Sequence, residues 1–208
     1  STCPDEINRT ITSFSRHYGE EQFPLGGLTG FPFRGITGFG AYSHHAPDEG
    51  NLLIVFGPHV GISDTGELGK VSRKGQSHES TACGAALAFL NKYQTAVSKG
   101  EVYVPQPHPH DTEQHAIETM LISHGERILT ARDPVKELVE VNYELIDGAI
   151  VQRVRELAHH FAGKIALVGG VMINTSPGQP NYFDPRRLEI HQGGRIEKLP
   201  LYNASTRH

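Results

Sequence analysis

Several shortages in this chain each remove a class of answer. Two cysteines in 208 residues cannot build a disulfide framework, and they suit a reducing compartment, a metal site or plain packing. The longest apolar runs fall well below the roughly 18 residues that a membrane-spanning helix needs, so no membrane partner is expected. There is no long basic block, and the formal net charge is -4. That leaves no electrostatic footprint for nucleic acid. No internal repeat is visible. With 37% hydrophobic residues, the composition is that of an ordinary globular protein. A single domain over residues 1–208 is expected. The chain opens on Ser1 rather than Met, so a targeting peptide would be invisible and the compartment stays open.

Against these shortages, 13 histidines are many. Most must be ordinary surface residues. The sequence around one of them is more informative. Leu52 to Phe56 is an unbroken apolar run, which reads as a strand buried on both faces. His59 follows directly, at the strand end where open α/β sheets place ligands. Ser77 or Ser80 can cap a helix running through Ala82-Cys83-Gly84 to Leu90. That would put Cys83 in the first turn, where backbone N–H groups favour a thiolate. Cys3 precedes Pro4-Asp5-Glu6, the expected start of another short helix to Tyr18.

The remaining chain supports an α/β reading. Residues 23–50 are rich in glycine and phenylalanine and suggest short strands, an ordered loop layer or an apolar pocket wall. Pro105 to His110 alternates proline and histidine, which gives no fixed metal bite and reads as a solvated linker. Helices are expected from Asp111 or Thr112 through Ile122, and from Asp133-Pro134 to about Phe161. Lys164 to Asn174 is a second strong strand. Tyr182-Phe183-Asp184-Pro185 reads as a turn, Arg187 to His191 as an edge strand, and Gln192-Gly193-Gly194-Arg195 as a hairpin turn into Ile196-Leu199.

Cys3, His59 and Cys83 together would make a Cys2His set of the kind that holds zinc and leaves one position open. Their wide spacing does not demand it. Two buried free cysteines and one loop histidine would account for the same residue types.

Longer motifs carry a resemblance. Cys3-Pro4-Asp5-Glu6-Ile7-Asn8, Gly30-Phe31-Pro32-Phe33-Arg34-Gly35, Thr37-Gly38-Phe39-Gly40-Ala41, His45-Ala46-Pro47-Asp48, Pro58-His59-Val60-Gly61, Gly69-Lys70-Val71 and Ser80-Thr81-Ala82-Cys83-Gly84-Ala85 resemble the limiting-CO2-inducible protein B family of algae and its microbial relatives. Ile173-Asn174-Thr175 and Asn181-Tyr182-Phe183 extend the resemblance towards the C-terminus.

The resemblance implies a β-carbonic-anhydrase-like fold: a mostly parallel central sheet flanked by helices, in a homodimer or higher homo-oligomer. It implies Zn2+ on Cys3, His59 and Cys83. It also implies reversible hydration of CO2 to bicarbonate by a zinc-bound hydroxide, the lyase reaction of a carbonic anhydrase (θ-class in the active members). Asp5 would belong to an Asp–Arg pair. The β-class pattern Cys-x-Asp-x-Arg would place the arginine at position 7, where this chain has Ile7. Arg73, in the basic segment before Cys83, is the expected partner, with Arg34 second. Without such a partner, Asp5 could itself ligate zinc and close the site. Phe31, Phe33, Phe39 and Tyr42 could wall a dry pocket for CO2, and His44, His45 or His78 could carry protons away. Some relatives are inactive, so a non-catalytic, zinc-containing scaffold or regulatory component of a CO2/bicarbonate-handling assembly is the alternative. A third is a redox switch in which Cys3 and Cys83 pair once metal is lost. The resemblance leaves the compartment open between a plastid stroma in an alga and the cytoplasm of a microbe.

Overall fold

Leu52–Phe56 forms β1, and its alternate residues Leu52, Ile54 and Phe56 are buried. They meet Ile165 and Leu167 of β5 (Ile165–Thr175), together with Ile146, Ile150, Val154 and Leu157 of helix α6 (Pro134–Leu157). Each such aliphatic side chain contributes about 1.5–3 kcal/mol when fully withdrawn from water. The computed structural model describes residues 1–4, 10–18, 23–45 and 49–201.

The expected α/β class holds, and the central sheet is mixed. β1 pairs parallel with the first half of β5, and β2 (His59–Ile62) pairs parallel with its second half. On the other edge of β5, β6 (Tyr182–Gln192) runs antiparallel, and β7 (Arg195–Lys198) follows it antiparallel. The expected hairpin turn is present, with Gly193 and Gly194 at φ 54 and 78, values that glycine adopts at little cost.

Two sequence expectations fail in this region. Tyr182 to Pro185 is strand rather than turn, and Glu189 to His191 of the expected edge strand lies between two strands, β5 and β7. Pro185 is tolerated because the β5–β6 register shifts between Gly169 and Gly170, beside its own pairing position. Proline inside a sheet is found at such irregularities.

Helix α6 shows why its sequence is helical. Asp133 caps it by accepting from the Lys136 N–H at 3.0 Å, and Pro134 occupies the first turn. Its buried residues recur at helical spacing: Leu138, Val141, Ile146, Ile150, Val154 and Leu157. The last four lie against the sheet. Leu138 and Val141 instead join a second core cluster with α3 (Gly84–Ser98), α4 (Thr112–Ile122) and α5 (Gly125–Thr130). Cys3 and Cys83 belong to that second cluster.

The glycine-rich segment contributes helix rather than strand. α2 (Gly35–Ser43) forms despite three glycines and buries Phe39 in the sheet-side core. Packing overrides the weak intrinsic propensity there. The N-terminal helix is α1 (Thr10–Tyr18), and residues 5–9 of the helix expected from Pro4 lie outside the described residues. Phe14 of α1 meets Phe183 of β6 edge-on, with centroids 5.8 Å apart. The second sheet face presents Leu53, Val55, Ala166, Val168, Leu188 and Ile190 to a trough of about 990 Å3 that Phe14, Ser15 and His17 of α1 also line. Residues 105–110 carry neither helix nor strand and are largely exposed, as a solvated linker should be. Among the described residues, no helix is long and apolar enough to cross a membrane.

Candidate metal centre

Three separate stretches of chain converge beyond the C-terminal end of β1. The first is the segment leading to Cys3. The Ser1 nitrogen donates to the Val55 carbonyl, and Gly57 N–H donates back to the Ser1 carbonyl at 3.1 Å. The segment thus runs beside the end of β1 like a short extra strand. Ser1 Oγ also donates to the Gly30 carbonyl at 2.8 Å. A Cβ on Gly26 would collide with the Thr2 backbone, so glycine is what allows this close passage.

The second stretch carries His59. β1 and β2 are separated only by Gly57-Pro58, and both lie on β5. His59 is the first residue of β2 and pairs with Met172. The turn is tight. Gly57 has φ 147, and a Cβ there would overlap the Gly170 carbonyl oxygen.

The third stretch delivers Cys83. A short antiparallel ribbon, β3 (Lys70–Val71) with β4 (Ser80–Thr81), leads into it. Backbone bonds knit the ribbon to β2. Gly61 N–H donates to Ala82 O at 2.9 Å, Gly69 N–H to Gly61 O at 2.9 Å, and Ala82 N–H to Gly69 O at 3.0 Å. Cys83 then occupies the N-cap of α3 with extended φ/ψ of -83 and 126. It precedes the first helical turn instead of lying within it, because Ser80 and Thr81 are strand residues and cannot cap the helix. The location still favours a thiolate, since the positive end of the helix faces it.

The result is a compact donor set. One ligand atom each from Cys3, His59 and Cys83 lie within 4.8 Å of one another. All three residues are buried, at 3%, 2% and 4% exposure. The two sulfurs are 3.9 Å apart. Two thiolates each about 2.3 Å from one tetrahedral zinc would be about 3.8 Å apart. The donors therefore fit a single tetrahedral ion in both chemistry and spacing. Without an ion, the Cys3 thiol is pushed well above its ordinary pKa, chiefly by its hydrogen bond with Cys83 and then by burial, with His59 opposing. The group is therefore protonated at neutral pH until a cation displaces the proton.

The other expected site residues separate. Asp5 lies outside the described residues. Arg73 sits on the ribbon, with Nη1 donating to Ser80 Oγ at 2.6 Å and Nη2 to the Thr81 carbonyl at 3.3 Å. It thus braces the strand that delivers Cys83. Arg34 is exposed before α2, and His44, His45 and His78 are exposed as well. Phe31 and Phe33, 5.1 Å apart, pack against the cluster that contains both cysteines. Phe39 and Tyr42 instead belong to the sheet-side core, where Tyr42 meets Phe23 at 5.0 Å. Thr29 lies between Leu28 and Gly30 in a left-handed conformation (φ 60), fully buried, and its carbonyl accepts from Asn142 Nδ2 of α6 at 3.2 Å.

One residue of the site escaped the sequence reading. Asn174 Oδ1 lies 2.8 Å from His59 Nδ1, and Asn174 is 4% exposed. The available signal was a buried-strand pattern, Ala166-Leu167-Val168-Gly169-Gly170-Val171-Met172-Ile173, that ends on an amide.

No protein of curated function matches the chain. The crystal structure of PtLCIB4, a homolog of the limiting CO2-inducible protein LCIB, is similar with a TM-score of 0.84 and 32% identity, over 95% of this chain and 82% of that one. A histidine-to-alanine variant of PtLCIB4 gives 0.86 and 32%, over 97% and 82%. The structure of LCIB itself shares the fold, at a TM-score of 0.70 and 20% identity over 96% and 80%. Residues 1–192 match the family model of limiting CO2-inducible proteins B/C, beta carbonic anhydrases, and the chain belongs to that family.

Proposed function

We infer that this chain is a zinc-dependent carbonic anhydrase that interconverts CO2 and bicarbonate. The observation that carries the reading is the buried Cys3–His59–Cys83 set, with ligand atoms within 4.8 Å of one another. Zinc held there would supply Lewis acidity, the chemistry that turns water into a nucleophile near neutral pH. Phe31 and Phe33 pack against the core cluster that contains both cysteines and would help to exclude bulk water. Carbon dioxide is small and apolar, so such a wall suffices to admit it. Asp5, two residues from Cys3, would accept a hydrogen bond from the attacking water and orient it, with Arg73 holding the carboxylate away from the metal. The working unit would be a homodimer.

Metal analysis combined with stopped-flow CO2 hydration tests this reading. One zinc per chain and hydration activity are expected, and Cys83→Ala should lose both. Zinc-free protein after loading, or unchanged activity in Cys83→Ala, would sink it. Sedimentation at micromolar concentration would show whether two chains associate.

The burial of all three donors also favours a second reading, a closed structural zinc site in a non-catalytic scaffold. Full zinc occupancy without hydration at any pH tried would select that reading.

A further inference from the structure

A histidine offers a metal two different nitrogens, and the hydrogen bond made by one decides which is left for the ion. In this site the deciding contact is His59 Nδ1 to Asn174 Oδ1 at 2.8 Å, between side chains that are 2% and 4% exposed. An amide oxygen can only accept. Nδ1 must therefore carry the proton and donate it, which leaves the lone pair of the neutral ring on Nε2.

The placement is fixed by strands rather than loops. His59 pairs with Met172, and Gly61 pairs with Asn174, on adjacent parallel strands. Met172 and Asn174 are two apart, so Asn174 projects from the same face of β5 as the partner of His59. Residues held this way keep their geometry better than residues on mobile loops. Burial adds to the argument, since an amide withdrawn from water without a partner would cost stability.

We propose that Asn174 is the positioning residue of the metal centre: its carbonyl oxygen fixes His59 as the Nδ1–H tautomer and holds the ring so that Nε2 faces the ion. The role rests on the reading of Cys3, His59 and Cys83 as the ligand set. The chemistry of the choice is specific. Two thiolates and a neutral imidazole bring a divalent cation to zero net charge, and an amide acceptor leaves that balance untouched. A carboxylate at 174 would add a negative charge and make the imidazole a stronger donor.

The test has two independent readouts. In the metal-free, unmutated chain, the 15N shifts of the His59 ring should report Nδ1–H. An Nε2–H ring would overturn the proposal without any mutant. Zinc affinity by chelator competition should fall about 10- to 100-fold in Asn174→Leu, which keeps the volume and removes the acceptor. Asn174→Asp should restore affinity to the unmutated level or beyond, and it also serves if Asn174→Leu does not fold. Equal affinity in all three proteins, with zinc still lost in Cys83→Ala, would remove Asn174 from the site while leaving the ligand set standing. Zinc retained in Cys83→Ala would instead remove the ligand set, and this proposal with it.

Discussion

Cys3 Sγ and Cys83 Sγ lie 3.9 Å apart although 80 residues separate them in the chain. The Cys3 thiol is pushed above its ordinary range by its hydrogen bond with Cys83 first and burial second. Binding a divalent cation must then expel the Cys3 proton. The sign follows directly: raising the pH removes the competing proton, so zinc affinity should rise with pH while the free Cys3 thiol stays protonated. With Cys3 protonated beforehand, its proton alone contributes about 10-fold per pH unit. Chelator competition at several pH values, together with proton release into a weakly buffered solution, measures it. An affinity independent of pH would mean that Cys3 is not a ligand.

Arg73 offers a way to separate catalysis from scaffold. Its guanidinium donates to Ser80 and Thr81 on the ribbon before Cys83. If it also holds Asp5, Asp5→Asn and Arg73→Ala should each keep zinc and lose about 10²–10⁴-fold in hydration rate. If Arg73 only braces the ribbon, Arg73→Ala should lower the melting temperature and leave the rate per folded, zinc-loaded chain unchanged. Comparing kcat with zinc content in the two variants decides between these outcomes.

The sequence announces elements whose burial depends on local pattern. Leu52 to Phe56 is apolar at every position and becomes β1 within the same bounds. The periodic stripe after Asp133-Pro134 becomes α6. Elements whose form depends on distant packing were not legible. Gly35 to Ser43 is helical because Phe39 fits the core beneath α6, a fact absent from its glycines. Pro185 reads as a break until the register shift opposite it is known. The site behaves likewise. Cys3, His59 and Cys83 have no common spacing, and only their long motifs tie them together before the fold does. Asn174 depends on the register of two parallel strands, which no local pattern encodes.

Gly57 is where that register is most exposed to damage. It joins β1 to β2 with φ 147, and an added Cβ would overlap the Gly170 carbonyl. Its N–H also holds the segment before Cys3 through the Ser1 carbonyl. Gly57→Ala must therefore push apart β5, the β1–β2 turn and the N-terminal segment together. A loss of more than about 4 kcal/mol is expected, since strain and backbone overlap act at one buried point. Urea unfolding gives the number. A loss below about 1 kcal/mol would show that the turn relaxes freely.

Glu118 links three elements on the far side of the second core cluster. It is 2% exposed on α4, yet Lys92 Nζ of α3 donates to Oε1 at 2.6 Å, Tyr103 OH to Oε2 at 2.6 Å, and Gln114 Nε2 to Oε1 at 2.9 Å. Burial alone would raise its pKa, and the three donors outweigh burial, so the net shift is downward. A carboxyl whose folded pKa lies below its unfolded value stabilises the fold above the ordinary glutamate range, near ~4.3. That contribution disappears as pH falls through the folded value. Glu118→Gln keeps an acceptor for Tyr103 and loses the charge opposite Lys92. It should cost about 1–3 kcal/mol at neutral pH. The cost should shrink towards zero in acid, where the native residue is neutral as well. Urea titrations of both proteins across that range test the sign. A difference that stays constant with pH would show that the packing of the side chain, and not its charge, ties α4 to α3.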